Sequence, residues 1–143
     1  MGHVDASALI DWTKFAQMRA ELGANFVRIL GYFREDGEKA VAQIEEAMHG
    51  KDTAALVIPS HTIKSEARQF GAELLGQLAE EIEFAARSAL ESQLFPDHML
   101  PHVARLRPTY LETIARLEKE TNPLATRRPS FGRAASNQEF GRL

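Results

Sequence analysis

The chain has 143 residues, 44% of them hydrophobic and 26% charged, which is enough for one domain with a sizeable core and too few for two. A net charge of −3 argues against bulk nucleic-acid binding, which calls for a basic face. The absence of cysteine excludes disulfides, thiolate metal sites and a cysteine nucleophile.

Asp5, Asp11, Lys14, Arg19 and Glu21 interrupt the N-terminal region too often for a signal peptide. No window approaches the roughly 18 apolar residues of a membrane helix. A cytoplasmic protein without membrane or nucleic-acid partners is therefore expected.

Apolar residues recur at helical spacing, and period-two alternation is missing. Trp12, Phe15, Met18 and Leu22 predict a short first helix. Phe26, Ile29, Leu30, Phe33, Val41, Ile44 and Met48 continue to a stop at His49-Gly50, with Gly37 marking either a weak point or a junction of two helices. Asp52-Thr53 resembles a helix start, and Leu56, Ile63, Ala67 and Phe70 form the buried stripe of a helix ending at Gly71. Pro59 is expected to bend or restart that helix.

Leu75, Leu78, Ile82, Ala85 and Ala89 predict the next helix, and Val103, Leu106, Tyr110, Ile114 and Leu117 the last. Pro101 suits a first helical turn and Pro108 predicts a kink. Four long amphipathic helices with short links read as an all-α, antiparallel four-helix bundle over residues 1–121, preceded by a short helix. Residues 122–143 carry four arginines against one glutamate, among Pro, Ser, Gly and Asn, and are expected to form an extended basic tail outside the bundle. With no strong second apolar stripe, a monomer is expected.

The chemistry concentrates at 60–75, SHTIKSEARQFGAELL. On an α-helix, Ile63, Ala67 and Phe70 share one side, while His61, Lys64, Ser65 and Arg68 fall on the other at i, i+3, i+4 and i+7. A neutral imidazole is a good nitrogen nucleophile. An ammonium one turn along offsets the charge of a phosphoryl group carried on it. Ser65 keeps the adjacent surface low, and Arg68 extends a positive stripe towards an acidic partner surface. Glu66 puts an acid beside that stripe.

The run His61-Thr62-Ile63-Lys64-Ser65, Ala67, Phe70-Gly71-Ala72 and Leu75, then Leu78, Ile82 and Glu83, resembles the histidine-containing phosphotransfer (HPt) domain of multistep phosphorelays and of the chemotaxis histidine kinase. The match is specific from Asp52 to Arg87, and the helical layout extends it from Leu22 to Glu120. The resemblance implies a four-helix bundle whose exposed His61 is phosphorylated at Nε2. It implies exchange with an aspartyl phosphate on a receiver domain, with response regulator receivers and hybrid or other sensor histidine kinases as partners.

The protein would be a phosphoryl carrier, not an enzyme, with no cofactor of its own and Mg²⁺ supplied by the receiver. Lys64 would support the phosphoryl group, and Ser65, Arg68 and Gly71 would shape the partner-binding surface. Glu83 falls where the chemotaxis kinase has a glutamate that orients its histidine; in phosphorelay members this position is often only surface. Ser65 departs from the commoner glycine.

A helical receiver-binding scaffold without phosphotransfer is the alternative from another class. A metal-binding bundle is a third: Glu46-x-x-His49 lacks the second copy that di-iron bundles need, and His98 and His102, at i, i+4, lack a third ligand. Ile10, Met18 and Phe70 are candidates for an apolar docking patch, and Trp12, Phe15, Phe26, Phe33 and Phe70 for the core.

Overall fold

A computed structural model of the chain describes residues 8–121. Among them are five α-helices: α1 (Trp12–Leu22), α2 (Phe26–His49), α3 (Thr53–Gln69), α4 (Glu73–Glu91) and α5 (Leu100–Thr121). Short 3₁₀ turns at Gly23–Asn25 and Asp97–Met99 precede α2 and α5. The chain divides into two compact units between Thr113 and Ile114, inside α5. In the first unit α2, α3, α4 and the start of α5 make the antiparallel four-helix bundle, and α1 is the short leading helix. The basic tail expected at 122–143 lies outside the described residues.

The helix ends follow from local chemistry. Asp11 and Asp52 cap α1 and α3: each carboxylate accepts from backbone N–H groups of the first turn, Thr13 and Lys14 in one case and Ala55 in the other. At the end of α3 the Ala72 N–H donates to the Ala67 carbonyl (2.8 Å) and the Gly71 N–H to that of Arg68 (3.2 Å). This paired closure requires a left-handed residue between them, and Gly71 supplies it at φ +79°. The same closure ends α2 and α4, but with Lys51 (φ 55°) and Gln93 (φ 57°) in the left-handed position.

The prolines do not divide their helices. α3 runs unbroken through Pro59, so of the bend or restart expected there the restart does not occur, and α5 runs through Pro108. Beside Pro59 the buried Ser60 hydroxyl donates to the Leu56 carbonyl (2.7 Å) and also contacts that of Val57 (3.1 Å), reinforcing the turn that the missing N–H weakens.

The core of the first unit is organised by a file of aromatic rings. Phe15 meets Phe26 edge-on at 5.5 Å, Phe26 meets Phe70, Phe70 stacks on Phe33 at 5.1 Å, and Phe33 meets Tyr110 edge-on. Each such pair adds about 0.5–1.5 kcal/mol to the burial of its rings. Gly37 is what lets Tyr110 in. A Cβ there would lie 2.5 Å from the ring's Cε1, and the Tyr110 hydroxyl donates to the Arg34 carbonyl beside it. α2 is thus one helix, and its glycine is a seat for an aromatic ring. Trp12, expected in the core, is instead 41% exposed at the start of the file.

Candidate functional site

α3 and α4 present one polar cluster between them. Glu83 projects from α4 toward α3, and only 6% of its side chain is exposed. Its Oε2 lies 3.1 Å from His61 Nδ1 and accepts a hydrogen bond from Arg87 Nε (2.9 Å), with Arg87 Nη2 in ion contact at 2.8 Å. Its Oε1 lies 2.8 Å from Lys64 Nζ, an ion contact outside hydrogen-bonding angles. Burial alone would raise the Glu83 pKa, but Lys64, Arg87 and His61 outweigh it and hold the carboxyl down at about 2.

Glu83 is therefore a carboxylate at neutral pH, with no proton to give. The His61 nitrogen facing it must be the one that carries a proton, so the neutral ring has Nδ1–H and a lone pair on Nε2. The His61 side chain is 51% exposed, and with Nδ1 engaged it is the Nε2 edge that meets solvent. The arrangement presents a nitrogen nucleophile of defined tautomer beside an ammonium.

The surroundings place the other sequence-selected residues. Ser65, one turn beyond His61, is exposed. Arg68 reaches across to α4 and pairs with Glu80 Oε1 at 2.5 Å. A Cβ on Gly76 would come within 3.0 Å of the Arg68 side chain, so that glycine leaves the path open. Gly71 does not belong to the outer face. It is buried, its carbonyl accepts the Asp11 N–H at 2.7 Å, and a Cβ would collide with the Asp11 carbonyl. Its part is to end α3 and seat α1.

Glu66 departs from the expectation of an acid beside the positive stripe. Burial, then the charge and a hydrogen bond of Asp36 on α2, raise its pKa to about 7, so it turns toward α2. The proposed apolar patch of Ile10, Met18 and Phe70 is also corrected, because all three are core residues no more than 6% exposed. The exposed apolar side chain near the histidine is Ile58, at 69%, one turn before His61.

Two participants were overlooked in the sequence. Arg87 had a signal, since Glu83-x-x-x-Arg87 is the i, i+4 spacing of a helical ion pair. Ile58 had one as well, an i−3 position on the face of His61.

The other described histidines differ from His61. His49 and His98 are exposed. His102 also meets a carboxylate, through Nε2 to Glu81 Oε1 at 2.6 Å, but its Nδ1 is buried without a hydrogen-bond partner, so neither ring nitrogen is open. Among the described residues no group of three or more His, Cys, Asp or Glu is placed to hold a metal ion. Nor is any described helix long and apolar enough to cross a membrane.

Comparison with known proteins agrees with this layout. The family model of the Hpt domain matches residues 28–120. Among solved structures, the histidine-containing phosphotransfer protein B (HptB) from Pseudomonas aeruginosa PAO1 is similar in fold, with a TM-score of 0.71. The identity is 18%, over 80% of this chain and 95% of that one. No curated protein matches the chain. With the family model spanning well over half its length and the bundle fold in agreement, the chain belongs to the Hpt domain family, the phosphotransfer carriers of two-component relays.

Proposed function

We propose that this protein carries a phosphoryl group on Nε2 of His61, taking it from an aspartyl phosphate on a receiver domain and passing it to, or back from, another receiver. The observation that carries this reading is the Nδ1 contact with a buried, ionised Glu83, which leaves the Nε2 lone pair outward. In the transfer, that lone pair forms the N–P bond as the bond from phosphorus to the aspartate oxygen breaks. The aspartate leaves as a carboxylate, and the His61 Nδ1 proton stays where it is, shared with Glu83.

The chain's own part is positioning. Glu83 sets the tautomer, and Lys64, one turn along and a quarter exposed, stands ready to meet the phosphoryl charge. Ser65 and Ile58 give a low, partly apolar landing surface, with Arg68 at its edge. The receiver supplies Mg²⁺ and most of the electrostatic stabilisation. The protein acts as a cytoplasmic carrier, without kinase activity of its own.

The test is incubation with a phosphorylated receiver domain, following label into this chain. The label is expected to be lost in acid and retained in base, as a phosphoramidate is, and to disappear in His61→Ala. Equal labelling of His61→Ala and the parent would overturn the proposal. Receiver binding without any transfer would favour the scaffold reading instead.

A further inference from the structure

Glu83 has more cationic company than orienting one histidine requires. Lys64 sits on Oε1, while both nitrogens of one edge of Arg87 converge on Oε2, the oxygen that also faces His61. The two cations are held differently. Lys64 makes an ion contact off the hydrogen-bond direction, on a flexible stem, whereas Arg87 makes a directed bond through Nε and a second ion contact through Nη2, both from a rigid plane.

This difference matters once His61 is phosphorylated. A phosphoryl group on Nε2 brings new negative charge beside Lys64 and draws the ammonium away from Oε1. Were Arg87 absent as well, the buried carboxylate would be left without a counter-ion, which is strongly disfavoured, and it would take up a proton or turn away. Either response removes the acceptor that fixes the proton on His61 Nδ1.

We infer that Arg87 is a positioning residue that keeps Glu83 on His61 Nδ1 when Lys64 leaves that carboxylate for the phosphoryl group. The role rests on the phosphotransfer reading for its consequence in transfer, but not for its geometry. Arg87 makes no hydrogen bond or ion pair with His61; the two meet on the same oxygen of Glu83. It acts through Glu83, with its own side chain 56% exposed, so its replacement leaves the core intact.

The experiment compares the parent with Arg87→Met and Arg87→Lys. ¹⁵N NMR of the imidazole reads the Nδ1–H to Nε2–H ratio of His61 in the unphosphorylated proteins, each also made with Lys64→Met, which takes the ammonium off Glu83 as phosphorylation would. Phosphoramidate, a small donor that needs no receiver, then gives the rate of labelling and the lifetime of the phosphohistidine. Arg87→Met is expected to lower the Nδ1–H to Nε2–H ratio by roughly three- to tenfold, as weakening one charge-assisted hydrogen bond would. It should shorten the phosphohistidine lifetime in step, while Arg87→Lys restores most of both.

An unchanged tautomer ratio and lifetime in Arg87→Met, with an unchanged melting curve, would overturn the inference and leave phosphotransfer by His61 standing. If the parent takes no label from either donor, the phosphotransfer reading fails. The tautomer ratio still decides the role of Arg87 in that case.

Discussion

Two of the polar clusters that tie helices together among the described residues are built in opposite proportions. Between α5 and α2 one cation serves two acids: Arg107 forms paired bonds to Glu45 (2.9 Å each) and a third to Glu38 (3.0 Å). Between α3 and α4 one acid serves three bases, His61, Lys64 and Arg87. In the first cluster all three guanidinium nitrogens are engaged, and the result is a fastening. In the second the cations outnumber the acid by one, and a histidine is left with a free nitrogen. A carboxylate shared by several bases can orient one of them without consuming it, and that surplus separates a site from a clamp.

The sharpest way to break this comparison is acid titration of the parent and Glu83→Gln. The Glu83 carboxyl is held down to about 2 from an ordinary 4.5, so its stabilising contribution is fully present above about pH 4.5 and is lost as the pH falls through 2. That contribution is on the order of 3 kcal/mol for a shift of this size. Denaturant melts from pH 7 down to pH 2 should show the parent losing this margin relative to Glu83→Gln. Parallel curves would mean that Glu83 is not held as an ion.

The fastening is expected to matter less and to leave chemistry alone. Arg107→Met should cost about 1–2 kcal/mol in a urea melt, the scale of lost charge-assisted hydrogen bonds. It should not change the rate of labelling from a phosphorylated receiver. A rate that falls as far as it does in Glu83→Gln would dissolve the distinction between the two clusters.

Two smaller effects sharpen the contrast from outside either cluster. Gln93→Gly should raise stability by about 0.5–1 kcal/mol, because a left-handed helix end suits glycine; thermal melts would show it. Glu66→Gln tests a carboxyl with the opposite shift. Its pKa is raised to about 7 by burial and by Asp36, so the charged form costs stability above pH 7, and the cost fades as the pH falls toward 4.5. The substitution should therefore stabilise the protein at pH 8 and have little effect near pH 4.5.

Much of this was legible in the residues themselves. The apolar stripes placed the helices, Asp52 and Gly71 bounded α3, and the spacing of Ile63, Ala67 and Phe70 turned His61 outward. What remained hidden depends on contacts distant in sequence. Gly37 reads as a weak point until Tyr110 is seen to occupy its space. Gly71 reads as a surface break until Asp11 arrives over it.

Glu83 could be read from the resemblance either as an orienting residue or as plain surface. Its burial and its three basic neighbours come from the pairing of α3 with α4, which no single stripe encodes. Pro59 does not restart α3, because helix propensity gave way to a continuous buried face and to the Ser60 hydroxyl beside it.

The central claim is that Glu83 leaves Nε2 of His61 as the nitrogen that reacts. NMR of the ¹⁵N-labelled protein after phosphorylation, reading the nitrogen–phosphorus coupling, identifies both the residue and the ring atom that carry the phosphoryl group. The account predicts a single phosphohistidine at His61, substituted on Nε2 with Nδ1 still protonated. Substitution on Nδ1, or phosphorylation of His49, His98 or His102 in its place, would contradict it.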